Sequence, residues 1–290
     1  MNRNLIAVAL VLSLFVGATR AQDQDLVESG QKLVKSYSNA VINISATIKL
    51  TISGAGATRD PIEQKQEVLA TIIDPTGLAV TSLMSIDPGS SVRTIRGRGR
   101  GGESVNVNVK SDVSDVKYRF ADGTEISGRI VLKDEDLDLA FIAPEKAVDD
   151  ATKGKFTSVS LEGATEAVQL LEPIISIGRL DKNLSYEPAV NAARLSAKLT
   201  KPRLEYVAGG AVGGPSFTRD GKLLGICLMH RSGGPDVDAN APRAQRDSTQ
   251  VIIPAADIAE IAVQAKEEMN KPAATTEKSE APATQPAEDK

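Results

Sequence analysis

One stretch concentrates the residue types and spacing that could do chemistry: "GGAVGGPSFTRDGKLLGICL", Gly209 to Leu228. A glycine-rich turn runs into Gly-Gly-Pro, and two apolar segments follow, joined at a tight Arg-Asp-Gly. A strand-turn-strand unit around a serine nucleophile often reads this way. That chemistry needs a hydroxyl to attack and a base, commonly an imidazole, to take its proton. The residue just before Gly-Gly-Pro is Val212, which carries no nucleophilic atom. Ser216 is the nearest hydroxyl, and His230 is the only histidine in the chain, so any histidine base must be this one. Folded as a hairpin, the segment pairs Ser216 with residues around Leu224, several positions short of His230. A Ser216–His230 dyad is therefore geometrically poor, and His230 reads as a surface or satisfied structural residue at a strand end.

Other reactive constellations are equally thin. His230 and Cys227, separated by Leu228 and Met229, do not form a four-ligand zinc spacing. The acids of "DEDLD" (Asp134, Glu135, Asp136 and Asp138) lack the glycine and terminal glutamate of a calcium loop, so they read as a solvated turn. "GRGRGG" lacks the Gly-Lys-Ser/Thr ending of a phosphate loop, and no dinucleotide-binding unit surrounds it. No cofactor and no metal are expected. Cys227 is the sole cysteine, so no internal disulfide can form, and inside "LLGICLM" it reads as a buried free thiol.

The elements that must position these residues are mostly strands. "AVINISATIKLTI" alternates apolar and polar residues and is rich in β-branched types. "QEVLATIIDPTGLAVTSLMSID" reads as two strands joined at the Pro75–Gly77 turn. "DVKYRFADGTEISGRIVLKDEDLDLAFIAP" supplies three more, with turns at "ADG" and "DEDL". In the second half, "FTSVSLEGA", "AVQLLEPIISIGRL", "AVNAARLSAKLT", "LEYVAGG", "PSFTRDGKLLGICLMH" and "DSTQVIIP" are short strand candidates at fairly regular spacing. Two helices flank them. One lies in the N-terminal segment, with Leu26, Val27, Leu33 and Val34 near one face; the other follows Pro254, with Ile258, Ile261, Ala262 and Ala265 at helical intervals. The pattern is an all-β barrel or sandwich, with two lobes plausible on length.

The ends of the chain bound its setting. Arg3, then the apolar run "LIAVALVLSLFVGA", then small residues up to Ala21 give the order of a secretory signal peptide. The main rival is an uncleaved anchor, but the run is shorter than the roughly 20 residues a span needs. Cleavage would remove Arg3 and Arg20 and no acid, so the formal charge of −4 would become −6. Such a mildly acidic protein has no global attraction for nucleic acid or anionic membrane. The expected organisation is a signal peptide over 1–21, a helical segment over 22–40, a folded domain over 41–268 and a disordered low-complexity tail over 269–290. Within the domain, residues 92–110 read as an Arg/Gly-rich loop insertion. There Arg93, Arg96, Arg98 and Arg100 form a local positive patch, either a polyanion contact or simply a solvated loop.

Three segments in order, "ATIIDPTGLAVTSLMSID", "FADGTEISGRIVLKDEDLDLAFI" and "GGAVGGPSFTRDGKLLGICL", resemble the catalytic segments of trypsin-like serine proteases, and most closely the high-temperature-requirement (HtrA/Deg) branch. "LVKSYSNAVINISA", "PIISIGRL" and "QVIIPAADIAEIA" extend the likeness over roughly residues 26–265. The resemblance implies two six-stranded antiparallel β-barrels with short N- and C-terminal helices and a cleft between the barrels. Carried over residue by residue, it places Met84 at the histidine position, Asp138 at the aspartate and Val212 at the serine. It also implies oxyanion-type backbone amides at Gly210 and Val212, and cleft-turn glycines at Gly209, Gly210, Gly213 and Gly214. Methionine has no basic nitrogen and valine no nucleophile, so triad chemistry is not expected. The family often carries a peptide-binding PDZ module after the protease domain, and none is expected here.

The leading expectation is an exported, proteolytically inactive domain in the periplasm or outside a bacterial cell, binding an extended peptide or a partner protein. One alternative is a weak hydrolase with a non-standard site around Ser216 or another hydroxyl. The other is a structural subunit of an envelope complex that makes contact through the Arg-rich segment or the tail.

Overall fold

A computed structural model describes residues 24–271, apart from 55–56, 59, 92–93, 99–103, 150–151, 232–235 and 239–247. The expected signal peptide and nearly all of the expected tail lie outside the described residues. Among the described residues no helix is long and apolar enough to cross a membrane.

The chain folds as an all-β, trypsin-like double barrel. The first lobe contains β1 (Val41–Gly54), β2 (Ala57–Thr58), β3 (Ile62–Ile72), β4 (Ala79–Ser82), β5 (Thr94–Arg98), β6 (Ser104–Arg119), β7 (Glu125–Asp134) and β8 (Leu139–Pro144). β1 pairs with β3 on one side and β6 on the other, so β1-β3-β4-β8-β7-β6 closes into a six-stranded antiparallel barrel. Ile42, Ile44, Ile72 and Tyr118 fill it, with the Tyr118 hydroxyl 2.8 Å from the carbonyl oxygens of Gly77 and Ile142. Burying a phenol requires such partners.

The second lobe contains β9 (Pro173–Arg179), β10 (Pro188–Arg194), β11 (Ala197–Leu199), β12 (Glu205–Val207), β13 (Pro215–Thr218), β14 (Leu223–Arg231) and β16 (Ser248–Pro254); β15 (Asp236–Asp238) joins the first sheet. The order β10-β9-β13-β14-β16-β12-β11 is antiparallel throughout and forms a half-barrel of seven strands. The seventh strand arises because 188–199 breaks at Leu195, which is fully buried and exchanges backbone hydrogen bonds with Leu171 and Glu172.

β8 shows how the lobes join. Its six residues are all buried because both faces are covered. Ala140 and Ile142 point into the first barrel, while Leu139 and Phe141 pack with Ile226 and Leu228 of β14 and with Val251 and Ile253 of β16. The C-terminal helix, α4 (Ala255–Met269), lays Ile258, Ala262 and Ala265 into that same interface. Arg129 of β7 donates to the carbonyls of Glu268, Met269 and Lys271, satisfying the helix end. The N-terminal helix, α1, spans 24–37. Leu33 and Tyr37 pack on the second lobe, Tyr37 stacking on Phe217 at 5.1 Å, but Val27 faces outward.

Three local readings change. "SLMSID" does not continue β4; it turns into α2 (Leu83–Ile86), with α3 (Pro88–Ser91) just after. Residues 156–164 form no strand: Phe156 and Val159 plug cores, and Val159 makes a single backbone bond to Ile72. The Arg/Gly-rich segment contains strand β5 and the start of β6, not only loop, because "SVNVNVK" alternates with the period of a sheet.

Candidate active site

The Val212 turn reaches across the lobe junction through Gly213, bonded to Thr71, and Asp138, in the turn between β7 and β8, reaches across it to Met229. Its Oδ1 accepts the backbone N–H of Met84 at 2.6 Å. Its Oδ2 accepts the Ser82 hydroxyl at 2.5 Å and, from the other lobe, the backbone N–H of Met229 at 3.1 Å. Its own carbonyl accepts from Leu83 N–H at 2.9 Å. Asp138 sits at φ +57°, a left-handed conformation that costs a non-glycine residue roughly 1–2 kcal/mol. The hydrogen bonds it makes there offset that strain. Ser82 also caps α2, accepting from Ser85 N–H at 3.3 Å.

On the opposite wall the glycine turn is held by its neighbours. Thr71 of β3 donates to Gly213 O at 2.7 Å, and Gly213 N–H donates to Cys227 O at 2.7 Å. Gly213 lies at φ +89°, and a Cβ there would stand 1.9 Å from Leu69 O. Only glycine fits that conformation and that gap. A Cβ on Gly214 would meet Ile177 O at 2.3 Å. Val212 is half-buried, its side chain packed against the second-lobe cluster of Ile174, Leu195, Tyr206 and Leu224.

Of the two expected oxyanion amides, the Gly210 N–H donates to Gln250 Oε1 at 3.3 Å, so a side chain already uses that donor.

The remaining candidates do not converge on this site. Ser216 is fully buried, pairs with Gly225 across the hairpin and shares a 2.8 Å hydrogen bond with Ser176. His230 pairs with Thr249, five residues further along β14 than Gly225, or roughly 17 Å of strand. Its Nδ1 lies 3.1 Å from the buried carboxylate of Glu205. Serine and histidine thus have separate partners. Burial pushes the Cys227 thiol up to about 12, so at neutral pH it is protonated and inert. In the acidic run, Asp134 Oδ1 accepts Leu137 N–H at 2.8 Å, closing a turn. Among the described residues no group of three His, Cys, Asp or Glu side chains is placed to hold a metal. Arg96 is exposed on β5, whereas Arg93 and Arg100 lie outside the described residues.

Sequence reasoning missed the partners of Asp138. Ser82 had a readable signal, a serine opening a short helix, but Met229 and Gln250 act through a backbone amide and a distant side chain that carry no local pattern.

Residues 69–226, more than half of the 290-residue chain, match the sequence model of the trypsin-like peptidase domain. The chain belongs to the trypsin-like, chymotrypsin-fold peptidase family. A search among curated proteins finds no match. The matched stretch of this trypsin-like domain runs from β3 to β14 and spans Met84, Asp138 and Val212.

Proposed function

We propose that this trypsin-like domain is a pseudoprotease of the HtrA/Deg type, which binds an extended peptide or a partner protein and does not cleave it. On this reading Met84, Asp138 and Val212 are a degenerate triad. The observation that carries it is the state of Asp138. In an active site this carboxylate would orient an imidazole; here its oxygens take two backbone amides and a hydroxyl. The only imidazole of the chain lies elsewhere, its Nδ1 3.1 Å from a Glu205 carboxylate oxygen. Export to a periplasmic or extracellular space rests on the signal-like residues 1–21. Peptide capture would use strand addition along the cleft edge, which needs backbone groups and side-chain pockets but no nucleophile.

Turnover of unfolded casein tests the reading, with Met84→His/Val212→Ser as the matched control. The natural protein should release no fragments above a protein-free blank, and should retain casein in pull-down or polarisation assays. Cleavage by the natural protein that Ser216→Ala abolishes would overturn the assignment.

A further inference from the structure

Strand β15 comes from the second half of the chain, yet it is the outermost strand of the first sheet. It runs parallel to β5, with Asp236 opposite Thr94, Val237 opposite Ile95 and Asp238 opposite Arg96. The other side of β5 is taken by β6 over five residue pairs, so β15 covers the only edge of β5 left. The two strands also follow elements of different lobes, α2 and β14. β5 starts ten residues after Met84 and β15 seven residues after Met229, the two residues whose amides meet on Asp138.

This pairing is complementary in charge and weak in hydrogen bonding. β5 carries Arg96 and Arg98, and β15 carries Asp236 and Asp238 in "DVD". Arg96 is exposed, and ion pairs between exposed groups contribute little to stability and weaken with salt. Three residue pairs in parallel register give few ladder bonds, and parallel pairing is slightly the weaker kind. Short isolated pairings are marginal in water. If β15 lifts away, β5 presents an unpaired row of N–H and C=O groups flanked by arginine, a template for another extended acidic segment.

We propose that β15 is a displaceable strap, and that the β5 edge beneath it is a docking strand for acidic extended peptides with an Asp-x-Asp core. The arginine segment then has a defined ligand chemistry, sampled in cis by residues 236–238. The inference stands apart from the reading of the cleft, since docking on β5 requires no occupant there.

The test uses the full chain and a fluorescein-labelled peptide, Gly-Pro-Asp-Val-Asp-Ala, which copies residues 234–239. Gly-Pro-Lys-Val-Lys-Ala serves as the charge control. Releasing the strap with Asp236→Asn/Asp238→Asn should tighten acidic-peptide binding at least tenfold and speed amide exchange over 94–98. Adding Arg96→Gln/Arg98→Gln to that background should abolish binding, and raising salt from about 50 to 500 mM should weaken it severalfold. Equal binding and equal exchange in natural and strap-released proteins would sink the strap. A lysine peptide that binds as well as the acidic one would sink the acidic edge. Casein retention is scored separately, so loss of the cleft reading would leave these outcomes legible.

Discussion

The two walls of the cleft keep their shape by different physics. Around Asp138 the organising force is hydrogen bonding, with one carboxylate gathering donors from α2, Ser82 and β14. Around Gly213 it is steric, since neighbouring backbone leaves no room for a Cβ. The difference shows which residues each wall can exchange. Asp138 holds positions 84 and 229 through backbone amides, so the side chains there can change without loosening the corner. The turn requires glycine at 213, but position 212 needs only a side chain that packs against its cluster. Both positions that the proposed reading assigns to the lost triad are therefore ones the scaffold leaves open.

The largest expected effect is on the steric wall. Gly213→Ala combines left-handed strain with a clash against Leu69 O, and should cost about 3 kcal/mol. For a domain of this size that lowers Tm by about 10 °C in a thermal melt. A loss below about 1 kcal/mol would show that the turn relaxes and the steric account is wrong.

Next comes the polar wall. Asp138→Ala strands two amides and a hydroxyl and should cost about 2–3 kcal/mol by denaturant titration; Asp138→Asn, keeping one acceptor oxygen, should cost about half. Met84→Ala should stay below about 1 kcal/mol, because the bonded group is its backbone. If Met84→Ala matched Asp138→Ala, the contrast between side-chain and backbone roles would collapse.

A smaller effect tests whether polar anchoring extends beyond the corner. Burial alone would push the Asp87 carboxyl up, but the Lys133 ammonium and the Ser111 and Ser90 hydroxyls outweigh it and hold the group below the ordinary carboxylate range. A depressed folded value means the stabilisation is complete above the unfolded value near 3.8 and is lost as pH falls through the folded one. Asp87→Asn should therefore cost about 1–2 kcal/mol at neutral pH, discounted because Lys133 is partly exposed, and flatten the acid limb of the stability curve. An unchanged acid limb would remove Asp87 from the account. Smaller again is Arg129→Ala, which frees the end of α4; about 1 kcal/mol is expected, with faster amide exchange confined to 266–271. Exchange that speeds throughout the lobe interface would mean the helix end is a keystone of both walls.

Much of the scaffold was legible locally. The Asp74–Gly77, Phe120–Gly123 and Thr218–Gly221 turns each close with a backbone bond where turn residues cluster in the sequence. The apolar run "LAFIAP" is a strand buried on both faces, and Ile258, Ala262 and Ala265 form the inner face of α4. Residues 156–164 misled because β-branched and aromatic residues plug a core as readily as they line a strand. The fate of 92–110 was hidden because its outer partner, β15, lies far along the chain.

The sequence by itself determined the menu: one imidazole, one thiol, methionine and valine at positions 84 and 212, and the periods that make strands and helices. Those follow from residue identity and from geometry repeating over a few residues. The tertiary structure alone decided how the menu is used. Asp138 spends its oxygens on residues 54, 56 and 91 positions away, and His230 reaches Glu205 across the second lobe. Such pairings come from barrel closure and lobe packing, and no local periodicity encodes them.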